Sequence, residues 1–271
     1  MSLSPTYVGI ADAADRAGVT VSTLKRWADA GRISCVKTRG GHRRFRGSDV
    51  DQLVEQMSAL GGETRTRDER WLGLLLQDDV HPLMAELFAG RARLGAWYRV
   101  GEEVARALRL LGRRWAQGRL AILDEHLASE RLHRALAQIV AGFTLVPEAP
   151  ACFLTTPPGE EHTLGLSIAE LCLCESGWRG LWGGGALPAE HLAGRLAGLP
   201  VAMVAAAASP SSVPPRRLRR WTTEVAAACA RKGIPLVLGG GGAWPAGIGG
   251  VVQVASFAQF HELLLGAARK A

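Results

Sequence analysis

The spacing of hydrophobic positions changes twice along the chain, and each change marks a new kind of unit. In residues 6–60, Ile10, Ala13, Ala14 and Ala17 recur at helical spacing and Gly18 supplies a turn. Thr20 or Ser22 caps a second helix, which runs to about Ala30 and stops at Gly31. Two short extended runs, 33–37 and 42–45, flank Gly40 and Gly41, a hairpin signal. Ser48 then caps a helix with Val50, Leu53, Val54 and Met57 on one face. This order is helix, turn, helix, wing, helix. The stretch 61–67, "GGETRTR", has no apolar anchor and reads as a linker.

From 68 to 147 the period is helical throughout, with segments near 68–77, 80–93, 95–118 and 120–145. Pro82, Gly90, Gly101 and Gly118 punctuate them, and the expected architecture is a four-helix bundle. From 151 onward, short apolar runs alternate with helical segments. The runs are 151–155, 178–182, 201–207, 235–238 and 251–255; the helices are near 163–176, 188–198, 212–232 and 257–269. We read these as five βα repeats, a doubly wound, Rossmann-like parallel sheet with helices on both faces. In such folds ligands sit in the loops at the carboxyl edge of the strands. The expected division is thus 1–60, linker 61–67, bundle 68–147 and sheet domain 151–271.

Charge sharpens the picture locally. The chain carries a net +7, and residues 37–46 hold five cations and no acid. A helix presenting Thr23, Lys25 and Arg26 beside a basic hairpin suits duplex DNA. A solvated basic face is the alternative for the charges alone. The four arginines of "PPRRLRRW" (214–221) read either as a solvated helix face or as an extra DNA or subunit contact. Five scattered cysteines argue against a disulfide framework, and Cys172 and Cys174 read as small buried hydrophobes rather than metal ligands. No apolar run reaches membrane length and no signal-peptide pattern opens the chain, so a cytoplasmic protein without a membrane partner is expected.

Candidate chemistry concentrates at two places. "GEEHTLG" (159–165) follows the first strand of the sheet domain and puts His162 on the binding edge. Glu160, two residues earlier, is placed to accept a ring N–H and orient the imidazole, and Gly165 permits close approach to the backbone. The glycine-rich 238–250, with Gly239, Gly240 and Gly241, follows the fourth strand and leaves a slot for something flat or extended. There is no dinucleotide or phosphate-loop fingerprint, no serine-hydrolase elbow, and no further histidine or cysteine at zinc spacing near His162. A lone histidine on an open edge fits one axial bond to a metal already caged in a macrocycle. In the bundle, Trp115 precedes Glu125 and His126 by a spacing that brings them to one end: an aromatic plate beside polar groups, or a core tryptophan with two surface residues.

These motifs carry a resemblance. "TVSTLKRWADAGRI" and "TRGGHRRF" resemble the winged-helix DNA-binding domain of MerR-family regulators, which implies DNA contacts by Lys25, Arg26, Arg39, His42, Arg43 and Arg44, with Trp27 in the core. Glu160-Glu161-His162-Thr163-Leu164-Gly165 resembles the Asp/Glu-x-His-x-x-Gly motif of cobalamin-binding domains. There the histidine ligates cobalt from below and the nucleotide tail threads along the later glycines. The full order, with Trp115 and Glu125-His126, resembles the CarH/LitR light-sensing regulators. That resemblance implies a light-responsive transcriptional repressor, not an enzyme. It would use adenosylcobalamin, Trp115 over the upper axial group, Glu125 and His126 toward the adenosyl moiety, a duplex operator and a homo-oligomer, dimer or tetramer. Methylcobalamin or another tetrapyrrole, a sensor without light response, a corrinoid enzyme component and a regulator that has lost its cofactor stand as alternatives. Two positions depart from the pattern. Ala116 stands where a histidine follows the tryptophan, and alanines end the third strand, with Ser209 the first hydroxyl.

Overall fold

The computed structural model of the chain describes residues 7–38, 40–210 and 212–268. It divides into two compact units, Met1–Arg67 and Asp68–Ala271.

The first unit holds β1 (Tyr7–Gly9), α1 (Ile10–Arg16), α2 (Val21–Asp29), β2 (Val36–Lys37) and β3 (Arg43–Arg46), and the start of α3 (Gly47–Leu76). Thr20 caps α2, its Oγ1 accepting from Thr23 N at 3.2 Å. The strands form an antiparallel sheet in the order β1-β3-β2. The β2–β3 hairpin is the wing, closed by Thr38 N donating to His42 O (2.9 Å), with Gly41 at φ 78°. Ala13, Ala14, Leu24, Phe45 and Val50 make its core. Ser48 does not cap the third helix, because α3 already begins at Gly47. Nor is 61–67 an interruption: α3 runs through it as one 30-residue helix. Glu63, Arg65 and Arg67 are good helix formers, no proline intervenes, and propagation from the flanking turns offsets two glycines at about 1 kcal/mol each.

In the second unit the last turns of α3 join α4 (His81–Leu94), α5 (Trp97–Ala116) and α6 (Ile122–Ala141). Trp71, Leu72, Leu83, Leu87, Val104 and Leu132 are fully buried among them, each burial contributing roughly 2 kcal/mol. One carboxylate enters this core. Glu103 is held by a bidentate pair from Arg93 (2.9 and 3.2 Å) and by Trp71 Nε1 (3.2 Å). Those donors offset the loss of water, and the hydrogen bonds to Glu103 hold the Arg93 guanidinium above its ordinary pKa.

The rest is β4 (Ala151–Thr155), α7 (Leu164–Glu175), β5 (Arg179–Trp182), α8 (Ala189–Arg195) running into a 3-10 turn (Leu196–Gly198), β6 (Met203–Ala207), α9 (Pro215–Lys232), β7 (Leu236–Gly239), β8 (Val251–Gln253) and α10 (Phe257–Ala268). The five strands are parallel in the order β5-β4-β6-β7-β8. The doubly wound expectation holds with one correction: there are four βα units, not five, because 240–250 joins β7 to β8 without a helix. Six glycines and Pro245 in that stretch explain why. β4 is buried along its whole length, as befits a central strand covered on both faces. Leu154, Met203, Phe260 and Leu264 share one core beneath α7 and α10; Val204, Leu238, Trp221 and Val225 share the other, beneath α8 and α9.

The helical layer is fastened to the sheet. Ile168 and Leu171 of α7 belong to the helical core. A side chain at Gly101 of α5 would stand 2.5 Å from Ile168 Cγ2, so only glycine permits this approach. Trp97 N donates to Glu175 Oε2 (2.7 Å), and Glu102 Oε1 accepts from Phe257 N (2.6 Å) at the start of α10.

Candidate functional site

In the first unit Lys25 and Arg26 of α2 are exposed, as are His42 and Arg44 of the wing, and Thr23 is half-buried with its hydroxyl against Thr20. Arg43 is different. Its guanidinium donates to Asp29 Oδ1 at 2.6 Å and to Lys25 O at 3.3 Å, tying the wing to the end of α2. The Asp29 hydrogen bond holds its pKa above the ordinary value. Arg39 lies outside the described residues. Trp27 packs against the core with the Arg32 guanidinium 5.1 Å from its ring centre.

The switch point of the sheet lies between β4 and β6, where chain connections leave in opposite directions. The loop after β4 carries Glu160 and His162; the loop after β6 carries Ser209 and Ser212. Glu160 is fully buried and stitches the two loops together. Its Oε2 accepts from Ser209 N and Ser212 Oγ, while Oε1 accepts from His162 N (2.8 Å) and His162 Nδ1 (2.6 Å). Burial alone would raise this carboxyl's pKa. The four hydrogen bonds outweigh burial and hold it below the usual glutamate range. The carboxylate fixes the proton on Nδ1, so Nε2 keeps its lone pair, and the imidazole is 71% exposed. Thr156 braces the loop, donating to Glu160 O (2.6 Å) and accepting from Ala186 N (2.8 Å).

Beside this pair, a cavity of 390 Å³ runs between α5, α7 and strands β6 and β7. Ala205, Ala206, Ala207 and Gly239 form its sheet wall. Gly165 stands at the start of α7 with nothing within 4 Å of where a Cβ would be, so its backbone borders open space. Gly240 and Gly241 line the cavity too, and they also let the β7 loop close on the β6 loop. A Cβ at Gly240 (φ 79°) would collide with Ala208 O, and one at Gly241 would stand 2.7 Å from Pro210.

Trp115, Glu125 and His126 come to one end of the helical layer, on either side of the turn at Gly118. α5 runs antiparallel to α7, with Trp97 at Glu175 and Gly101 at Ile168. From that register the last turns of α5 overhang the start of α7 by roughly 12 to 16 Å at 1.5 Å per residue. Trp115 is 48% exposed there, so it is not a core tryptophan. His126 Nδ1 lies 2.7 Å from Glu125 Oε2, and Ser129 Oγ donates to Glu125 Oε1 at 2.8 Å. Ala116 falls on the α5 stripe that Glu102, Ala105 and Arg109 begin along the cavity wall.

Two contributors escaped the sequence reading. Ser212 had only the "SPSS" run as a signal. His133 had none: from α6 it meets Thr163 Oγ1 and Ser167 Oγ, each at 3.0 Å, bridging the helical layer to the first turn of α7. Burial holds its pKa below the ordinary value, more than Glu130 raises it. The cysteines are free, and burial pushes the Cys174 and Cys229 thiols up to about 11. Among the described residues no three His, Cys, Asp or Glu side chains gather as a bare metal ion requires, and no helix is long and apolar enough to cross a membrane.

Residues 7–58 match the helix-turn-helix domain family. The HTH-type transcriptional repressor CarA of Myxococcus xanthus is 34% identical over 76 residues, 28% of this chain and 26% of CarA. The HTH-type transcriptional repressor CarH of the same organism is 28% identical, over 66% of this chain and 71% of CarH. Among solved structures, the monomethylamine corrinoid protein of Methanosarcina barkeri matches with a TM-score of 0.55 at 11% identity, over 73% of this chain and 96% of that one. That likeness is one of fold: a helical layer on a parallel sheet. The N-terminal helix-turn-helix domain and the similarity to CarH and CarA bear out the resemblance read from the motifs.

Proposed function

We propose that this chain is a DNA-binding transcriptional regulator whose second unit holds a cobalt corrinoid, with His162 as the residue that would ligate the metal. The observation that carries the reading is the Glu160–His162 pair: a buried carboxylate fixes Nδ1–H and leaves an exposed Nε2 lone pair at the switch point of a parallel sheet. The residues fit the group in two further respects. The small-residue cavity beside Gly165, Gly239, Gly240 and Gly241 suits a flat tail, and the overhang of α5 and α6 sets Trp115, Glu125 and His126 opposite the sheet edge. The likeness to CarH supports a repressor.

In the finer reading the cofactor is adenosylcobalamin, which supplies, when bound, a cobalt–carbon bond that visible light breaks. Trp115 would cover the bound cofactor from the helical layer, and Glu125 and His126 would offer it a hydrogen-bond acceptor and donor. The angle this sets between helical layer and sheet favours a homo-oligomer, dimer or tetramer. Several N-terminal units then reach one operator together, which raises their effective concentration on the duplex. Thr23, Lys25, Arg26, Arg39, His42 and Arg44 meet the DNA, with Arg43 holding the wing in place. Ala116 favours a second reading, a corrinoid or other tetrapyrrole sensor without light response, because it supplies no side chain to take over the upper side.

The test is an absorbance spectrum of the purified chain with adenosylcobalamin, in darkness and after green light, with gel filtration of each sample. A bound corrinoid whose spectrum and assembly size both change is expected, and the His162→Ala variant is expected to lose the protein-induced spectral shift. A bound corrinoid with unchanged assembly supports the light-independent sensor. Absence of any binding overturns the corrinoid reading.

A further inference from the structure

We infer that Arg109 is a specificity residue that reads the phosphodiester of a complete corrinoid, and so distinguishes cobalamin from corrinoids without the nucleotide tail; this rests on the corrinoid reading above. The cavity is almost wholly apolar: Leu166, Val237, Phe257 and the alanines of β6 line it. Those walls suit the flat base of a nucleotide tail, but the alanines of β6 offer no hydroxyl to it. Among the described residues, Arg109 is the one cation that lines the cavity.

Its own surroundings leave its charge unspent. Along α5, Arg106 pairs with Asp68 (3.1 Å) and Arg114 with Glu69 (2.6 Å), while Arg99 donates to Tyr98 Oη (3.0 Å) and Leu94 O (3.2 Å). Arg109 is exposed and has no ion pair or hydrogen bond among the described residues. The carboxylate on the same wall, Glu102, stands about two helical turns away, roughly 10 Å. Its charge is taken up by the first N–H groups of α10 at 2.6 and 3.4 Å. A guanidinium at an apolar slot recognises an anion joined to a flat aromatic group, and a phosphodiester matches its donor fork. A base tail held in this slot would be joined to the ring through a phosphodiester, and Arg109 is the cation on the wall that would meet it.

Titrations in darkness with adenosylcobalamin and with adenosylcobinamide, which keeps the ring and the adenosyl group but lacks the phosphate and base, test the assignment. Arg109→Gln is expected to weaken cobalamin binding on the order of tenfold and to leave cobinamide binding unchanged. Arg109→Lys is expected to retain most of the preference, and Arg216→Gln, which removes the same charge from α9, to leave both affinities as they were. The cobalamin preference should also shrink with added salt in the parent chain and not in Arg109→Gln. Equal effects on both corrinoids, or none on either, overturn the role of Arg109 while leaving the corrinoid site standing. Failure of the parent chain to bind either corrinoid removes the site itself, and the inference with it.

Discussion

Two histidine–glutamate pairs in the second unit look alike at the ring and differ behind it. His162 meets Glu160 at 2.6 Å and His126 meets Glu125 at 2.7 Å, and the rings are 71% and 70% exposed. Behind them, Glu160 is fully buried and also accepts from Ser209 N and Ser212 Oγ, whereas Glu125 is 25% exposed and has only Ser129 besides. The first ring is therefore fixed by an acceptor that has nowhere else to turn. The second is fixed by one that water reaches and that one helical turn can release. A pair built like the first suits an anchor, and one like the second suits a cap that opens.

The largest expected effect that separates them is on stability. Glu160→Ala strands four donors around a buried gap and is expected to cost about 3 kcal/mol, whereas Glu125→Ala is expected to cost under about 1 kcal/mol. Urea unfolding of each variant without ligand measures both; equal losses would break the comparison. A smaller effect lies in acid. Because Glu160 is held below its ordinary value of 4.5, its contribution is fully present above that pH and is lost as the pH falls through its folded value. Stability of the parent chain should fall over that window, and that of Glu160→Gln should fall less. His133 adds a fall at higher pH. Its lowered pKa means the unfolded chain takes up its proton first, so acidification from the ordinary value of 6.5 destabilises the fold, and His133→Gln should flatten that limb. The smallest effect extends the same contrast to the wing, where Arg43 is held by Asp29 and Arg44 is exposed with no ion pair among the described residues. Arg44→Ala is expected to lower the salt slope of DNA binding by about one, whereas Arg43→Ala should first lower the melting temperature of its unit.

Local relationships were legible in the sequence. The i, i+2 spacing of Glu160 and His162, the Thr20 cap, the β2–β3 hairpin and the alternation of strands with helices all follow from neighbours along the chain. What was not legible depends on distant partners. Ser212 reaches Glu160 across 52 positions, His133 reaches Thr163 across 30, and Arg43 reaches Asp29 across 14. No local pattern marks any of them. The continuity of α3 was missed for a different reason. A polar stretch without an apolar stripe gives periodicity nothing to report, even where helix propagation from both sides settles the conformation.

The bond from Glu102 to the first N–H of α10 closes over 155 positions, from the helical layer to the last helix described. During synthesis at the ribosome, Glu102 is therefore made long before its partner. The cavity wall it shares with Phe257 and Phe260 is also missing until those residues emerge. A nascent or truncated chain thus carries the imidazole at residue 162 without the pocket beside it.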